Sequence, residues 1–232
     1  MKKEQSKTDA GRRKFLGKIT TGAAAMTIAG LTAPFQKADA KTFELNDTND
    51  EEWFNQIKGK HRMVFDVTQP HEIFPFAWPR VFLVTNEKTG TPAKNCSVVV
   101  VLRHSAIAYA MQSSLWEKYK FGEVMKADDP KTKQPATRNP FWQPAPGDYK
   151  LPGIGELSIG INELQASGVM FCVCDAAMTV FSATLAGKLN VDAAELKKEW
   201  QAGLLPNIHI VPSGIWAVGR AQEHGCNYCF AS

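Results

Sequence analysis

VMFCVCDAAMTVFSATLAG, residues 169–187, decides how this chain is read. Its first six residues are apolar throughout, without the alternation of a half-exposed strand, so a strand here is buried on both faces. The next thirteen are small and apolar at helical spacing, and Gly187 supplies a stop, which predicts a helix over 175–187. A doubly buried strand running straight into a helix is the unit from which parallel sheets are built.

The same pattern recurs on either side. CSVVVVLRH (96–104) is a second uninterrupted β-branched run, followed by Ser105 as a candidate N-cap and AIAYAMQSSLWEKYKFG as a helix ending at Gly122. HRMVFDV (61–67), NIHIVP (207–212) and CNYCFA (226–231) read as further strands, and 74–90, 154–168, 192–200 and 213–225 as helices. The expected fold is therefore α/β: a mainly parallel five-stranded sheet with helices on both faces, in a single domain over residues 41–232. Residues 127–153 break the pattern with Pro130, Pro135, Pro140, Pro144, Pro146 and Pro152, and predict neither helix nor strand. The segment also carries Phe141, Trp142 and Tyr149, more large aromatics than disordered linkers hold. An ordered insertion is expected, packing its aromatics over the strand ends near Cys174 and His104 or against a neighbouring subunit.

The N-terminus is a different kind of sequence. Arg12 and Arg13 precede a weakly apolar, Ala- and Gly-rich stretch, and Ala38-Asp39-Ala40 offers the small-x-small pattern of a signal-peptidase site. Residues 1–40 resemble a twin-arginine (Tat) signal peptide, cleaved after export of a folded chain by the Tat translocase, so the periplasm is the expected location. Without them the 27 basic residues fall to 19 and the 23 acidic ones to 20, a net charge near −1. The basic balance belongs to the leader, and no nucleic-acid partner is expected.

In sheets of this kind ligands gather beyond the carboxyl ends of the strands, beside helix N-termini. The residues expected there are Asp66 and Thr68, then Arg103, His104 and Ser105, then Cys174 and Asp175, and finally Pro212, Ser213 and Gly214. Cys174 is the thiol expected at that edge, where the free N–H groups and dipole of the following helix favour a thiolate. His104 is a candidate to assist it, with Arg103, Ser105, Asp175, Ser213 and Gly214 as candidate ligand-binding residues. Period two places Cys172 and Cys174 on one face, with Cys172 a small buried hydrophobe. Five cysteines leave at least one thiol unpaired. Disulfide pairing among Cys96, Cys172, Cys226 and Cys229 stays open, Cys96 with Cys226 being one arrangement and a four-cysteine metal site on Cys172, Cys174, Cys226 and Cys229 another. C-x-x-C at 226–229 has no following histidine for haem, and no dinucleotide or phosphate-loop glycine motif is present. No metal or cofactor is expected.

ASGVMFCVCDAAM and LLPNIHIVPSGIWAVGRAQEHGCNYC, together with VVVVLRHSAIAYAM, resemble the DsrE/YchN-like family of sulfur-relay proteins. The resemblance covers roughly 60–125 and 154–230. It implies a flavodoxin-like fold, homotrimers or homohexamers, and a persulfide-carrying cysteine that falls on Cys174. The expected function is sulfur handling or binding of a thiol ligand through a reactive cysteine, with a sulfur donor or acceptor protein or a small thiol as partner. A non-catalytic oligomeric binding module and a metal or cofactor protein are the alternatives.

Overall fold

In the computed structural model, residues 49–153 and 155–232 are described, and the expected signal peptide lies outside them. The chain order is α1 (Asn49–Phe54), β1 (His61–Val67), α2 (Phe74–Lys88), β2 (Cys96–Leu102), a 3-10 helix (His104–Ala110), α3 (Ser113–Tyr119) and α4 (Phe121–Val124). It continues with β3 (Lys150–Leu151), β4 (Gly155–Glu156), α5 (Ile161–Ala166), β5 (Met170–Cys174), α6 (Asp175–Leu189), α7 (Ala193–Ala202), β6 (Ile208–Val211), α8 (Gly214–Glu223) and β7 (Asn227–Phe230). No described helix is long and apolar enough to cross a membrane.

Five strands form one sheet in the order β6-β5-β2-β1-β7, every neighbouring pair parallel. This is the expected α/β, flavodoxin-like arrangement. Burial follows position: six of the seven residues of β2, in the centre, are buried, whereas edge strand β7 leaves Tyr228 46% and Phe230 52% exposed. Phe65, Val100 and Phe171 point to one face, where they pack with residues of α2, the 3-10 helix and α3 to α7. Val64, Val99, Val101 and Cys172 point to the other, against α1 and α8. Right-handed crossovers account for this division. The chain steps from β1 to β2, β5 and β6 in one direction with its helices on the first face. It returns from β6 to β7 in the opposite direction, so α8 falls on the second.

Several sequence expectations change, among them the stop at Gly187, which lies inside α6 while Asn190 caps it. The helix expected over 105–122 is broken into the 3-10 helix, α3 and α4. Residues 110–112 hydrogen-bond elsewhere: Leu205 donates to the Ala110 carbonyl (2.8 Å) and Gln112 to that of Gly203 (2.9 Å). Backbone groups claimed by a distant segment cannot continue a helix. Gly122 lies inside α4 instead of ending a helix. A Cβ there would come within 2.4 Å of the Ala136 backbone, so its role is to let the insertion cross. The helix expected over 154–168 is reduced to α5, because Leu157 donates to Tyr149 (2.9 Å) and Ile161 to Phe141 (2.7 Å).

The insertion is ordered, and among the described residues its ring contacts run to α2 and the 3-10 helix and not to Cys174 or His104. Phe141 is fully buried, 4.3 Å from Phe76 and 5.3 Å from both Tyr109 and Tyr149, ring centre to ring centre. Asn139, also fully buried, donates to the carbonyls of Tyr109 (2.8 Å) and Met111 (2.9 Å) and accepts from the Phe141 amide (3.1 Å). The segment supplies core that the short helices α3, α4 and α5 cannot. Its last residues also form β3, paired antiparallel with β4, where no strand was expected.

Candidate functional site

Adjacent strands whose chains leave toward opposite faces open a crevice at their carboxyl ends. Here that pair is β5 and β6: β5 leads into α6 on the first face and β6 into α8 on the second. Cys174 and Val211 pair across it, and the Ala176 amide donates to the Pro212 carbonyl (3.2 Å) at its rim. Cys174 is thus the last residue of β5, at the switch point, and the N-cap of the fifteen-residue α6. Its Sγ accepts a hydrogen bond from the Ala177 amide at 3.3 Å, satisfying one of the free N–H groups of the first turn.

The two nearby thiols part company. Cys172 is fully buried in the cluster under α8, whereas Cys174, 5% exposed, joins the cluster on the α6 side. The shared face expected from strand period is lost where the backbone turns into α6. Burial pushes the Cys172 thiol up, and lifts Cys226 to about 11. Cys96 and Cys229 are raised by burial as well.

Arg103 continues the β2–β5 register one step past Leu102↔Val173, which puts it beside Cys174 on the neighbouring strand. Its guanidinium grips Asp66 at the end of β1 with two hydrogen bonds, Nε to Oδ1 (2.6 Å) and Nη2 to Oδ2 (2.9 Å). Tyr228 of β7 donates its hydroxyl to Asp66 Oδ2 at 2.9 Å. The Asp66 side chain is 3% exposed and that of Arg103 24%. The hydrogen bond to Asp66 is the main cause that holds Arg103 above its ordinary value, so it stays charged. The Arg103 stem lies on Gly214, the first residue of α8, where a Cβ would stand 2.6 Å from that of Arg103.

The other expected residues scatter around this centre. His104 has left-handed backbone (φ 49°) and lies on the α6 side, its ring edge-on to Phe181 at 5.3 Å and Nδ1 3.4 Å from Ser105 Oγ. Among the described residues no hydrogen bond joins it to Cys174. Asp175 turns to α7, accepting from Lys197 Nζ (2.7 Å) and Gln201 Nε2 (3.0 Å), so it ties two helices together. Ser213 precedes α8 in extended conformation and its hydroxyl makes no capping bond. Arg103, Gly214, Ser213 and Cys174 are therefore neighbours, His104 with Ser105 flank them, and Asp175 is occupied elsewhere. Sequence reasoning missed the pairing of Asp66 with Tyr228, since only the strand order brings β7 beside β1.

The cysteine alternatives also resolve. All five cysteines are free, and β1 lies between β2 and β7, which keeps Cys96 from Cys226. Cys172 and Cys174 are three strand spacings, about 14 Å, from the strand that follows Cys226 and contains Cys229, so the four do not converge on one ion.

No family model matches the chain, and no curated protein matches it in sequence. Among solved structures it is similar to a protein of unknown function, MTH1491, from Methanobacterium thermoautotrophicum, with 15% identity and a TM-score of 0.38, over 74% of this chain and 99% of that one.

Proposed function

We propose that the protein handles sulfur through Cys174, taking up the outer sulfur of a small persulfide-type donor. The thiolate attacks that sulfur, the new bond forms at Cys174 Sγ, and the donor's own S–S bond breaks: Cys–S⁻ + R–S–SH gives Cys–S–SH + R–S⁻. No oxidant is required, because the sulfane sulfur arrives already oxidised. The observation that carries this reading is a contrast among thiols. Cys174 Sγ accepts an amide N–H at the start of a long helix, whereas the thiols of Cys96 and Cys229 donate to backbone carbonyls and Cys172 is fully buried within the sheet. Its 5% exposure favours a small donor over a large surface. The same low exposure also favours the alternative, a non-catalytic binding module in which the thiol lines a site without reacting.

Export through the twin-arginine route to the periplasm, and assembly into homotrimers or homohexamers as in DsrE/YchN-like proteins, belong to the same proposal. The deciding experiment alkylates the folded protein with limiting iodoacetamide at neutral pH and maps the labelled peptides. Cys174 is expected to carry most of the label, and incubation with a persulfide donor to make the Cys174 peptide one sulfur heavier. Labelling of Cys96 or Cys229 with Cys174 untouched until denaturation overturns the sulfur-handling reading in favour of the binding module.

A further inference from the structure

Asp66 and Arg103 form a bidentate ion pair at the carboxyl edge, its carboxylate almost wholly buried. Such pairs contribute little net stability, since desolvation offsets their attraction, so stability alone is a weak reason for one here. Its orientation is informative. Across the sheet the order is β5, β2, β1, so Arg103, at the end of β2, stands on the strand between those of Cys174 and Asp66. Tyr228 donates to Oδ2 of that carboxylate, the oxygen that also accepts from Arg103 Nη2, and so draws charge from it. The carboxylate next to the thiol in sequence, Asp175, is matched by Lys197 at 2.7 Å. Arg103 spends only Nε and Nη2 on Asp66. Its Nη1 group has no hydrogen-bond partner among the described residues, and a quarter of the side chain is open.

We propose that Arg103 selects anionic sulfur compounds at Cys174, with Asp66, Tyr228 and Gly214 as its positioning residues. This rests on the reading of Cys174 as the sulfur-carrying thiol and adds the substrate class: small anionic sulfane-sulfur donors such as thiosulfate, in preference to neutral persulfides, the S–S bond breaking and sulfite leaving in Cys–S⁻ + S–SO₃²⁻ giving Cys–S–S⁻ + SO₃²⁻. Bidentate clamping fixes the guanidinium plane, and the absent side chain of Gly214 gives the stem its path, so the free Nη1 donors are held in one direction.

The test compares alkylation of Cys174 by iodoacetate, an anion, with that by neutral iodoacetamide, which serves as the exposure control. Wild type is expected to show an iodoacetate-to-iodoacetamide rate ratio at least about threefold above that of Arg103→Gln at low salt, as expected for one nearby charge in a partly aqueous site. Arg103→Lys should recover most of the ratio, which a purely structural role would not predict. Should Arg103→Gln fail to fold, the wild-type ratio itself should fall as salt is raised to about 1 M, where screening acts within roughly 3 Å. An unchanged ratio in Arg103→Gln, or a wild-type ratio indifferent to salt, overturns the proposal. If neither reagent labels Cys174, the sulfur-carrying reading fails on its own, and calorimetry of thiosulfate binding to Cys174→Ser decides the anion site. Binding that disappears on adding Arg103→Gln upholds it, and no binding overturns it.

Discussion

Asp66 accepts three hydrogen bonds with almost none of its side chain in water, so each donor has a calculable worth. Tyr228→Phe removes one donor from a carboxylate still held by Arg103, and should lower stability by about 1 kcal/mol in urea melts. Arg103→Ala strands a buried charge and should lower it by about 3 kcal/mol, with partial recovery in the double variant Arg103→Ala/Asp66→Ala because the stranded charge is then gone. A Gly214→Ala Cβ has nowhere to go without moving the Arg103 stem. It is expected to cost about 1–3 kcal/mol and to shift the anion preference at Cys174 together with stability. The remaining thiols give a pH test. Cys226 rises from the ordinary 9.0 to about 11 in the fold, so the unfolded chain loses this proton first. Its contribution is complete below pH 9 and is lost as the pH climbs toward 11, so Cys226→Ala should flatten the alkaline fall in melting temperature over that window.

At the scale of elements, the insertion 127–153 behaves as core and not as a lid. Phe141 buries its ring against Phe76 and Tyr109, Tyr149 stacks on Phe141, and Asn139 ties off carbonyls at the end of the 3-10 helix. Phe141→Ala should therefore destabilise by about 3–5 kcal/mol, measured by denaturant unfolding. Deleting 130–148 should unfold the protein before it uncovers Cys174. A normal melting temperature with faster Cys174 alkylation would restore the lid. The aromatic content of the segment was legible as order; its direction was not, since proline spacing carries no information about which helix a ring will meet. Likewise, the run 105–122 has helical composition throughout, yet hydrogen bonds from 203–205 interrupt it at 110–112. A competing backbone segment ninety residues away leaves no local mark in the sequence.

For the molecule as a whole, Ile215 (63% exposed), Tyr228 and Phe230 leave apolar surface on α8 and β7, the elements beside the candidate site. The expected trimer or hexamer would cover such surface, and light scattering at micromolar concentration checks it, a monomer rejecting assembly. The sequence by itself determined the α/β class, the bounds of β1 and the identity of the central strands, because continuous β-branched runs are stable only when both faces are covered. It also determined that Cys174 ends a strand and begins a helix, a property of local periodicity. Tertiary structure alone decided the strand order. That order makes β5 and β6 the switch point, sets Arg103 on the strand between those of Cys174 and Asp66, and brings Tyr228 from the last strand to the first. Periodicity tells each residue which face it takes, whereas neighbours across a sheet are chosen by how separate strands and helices close around one core.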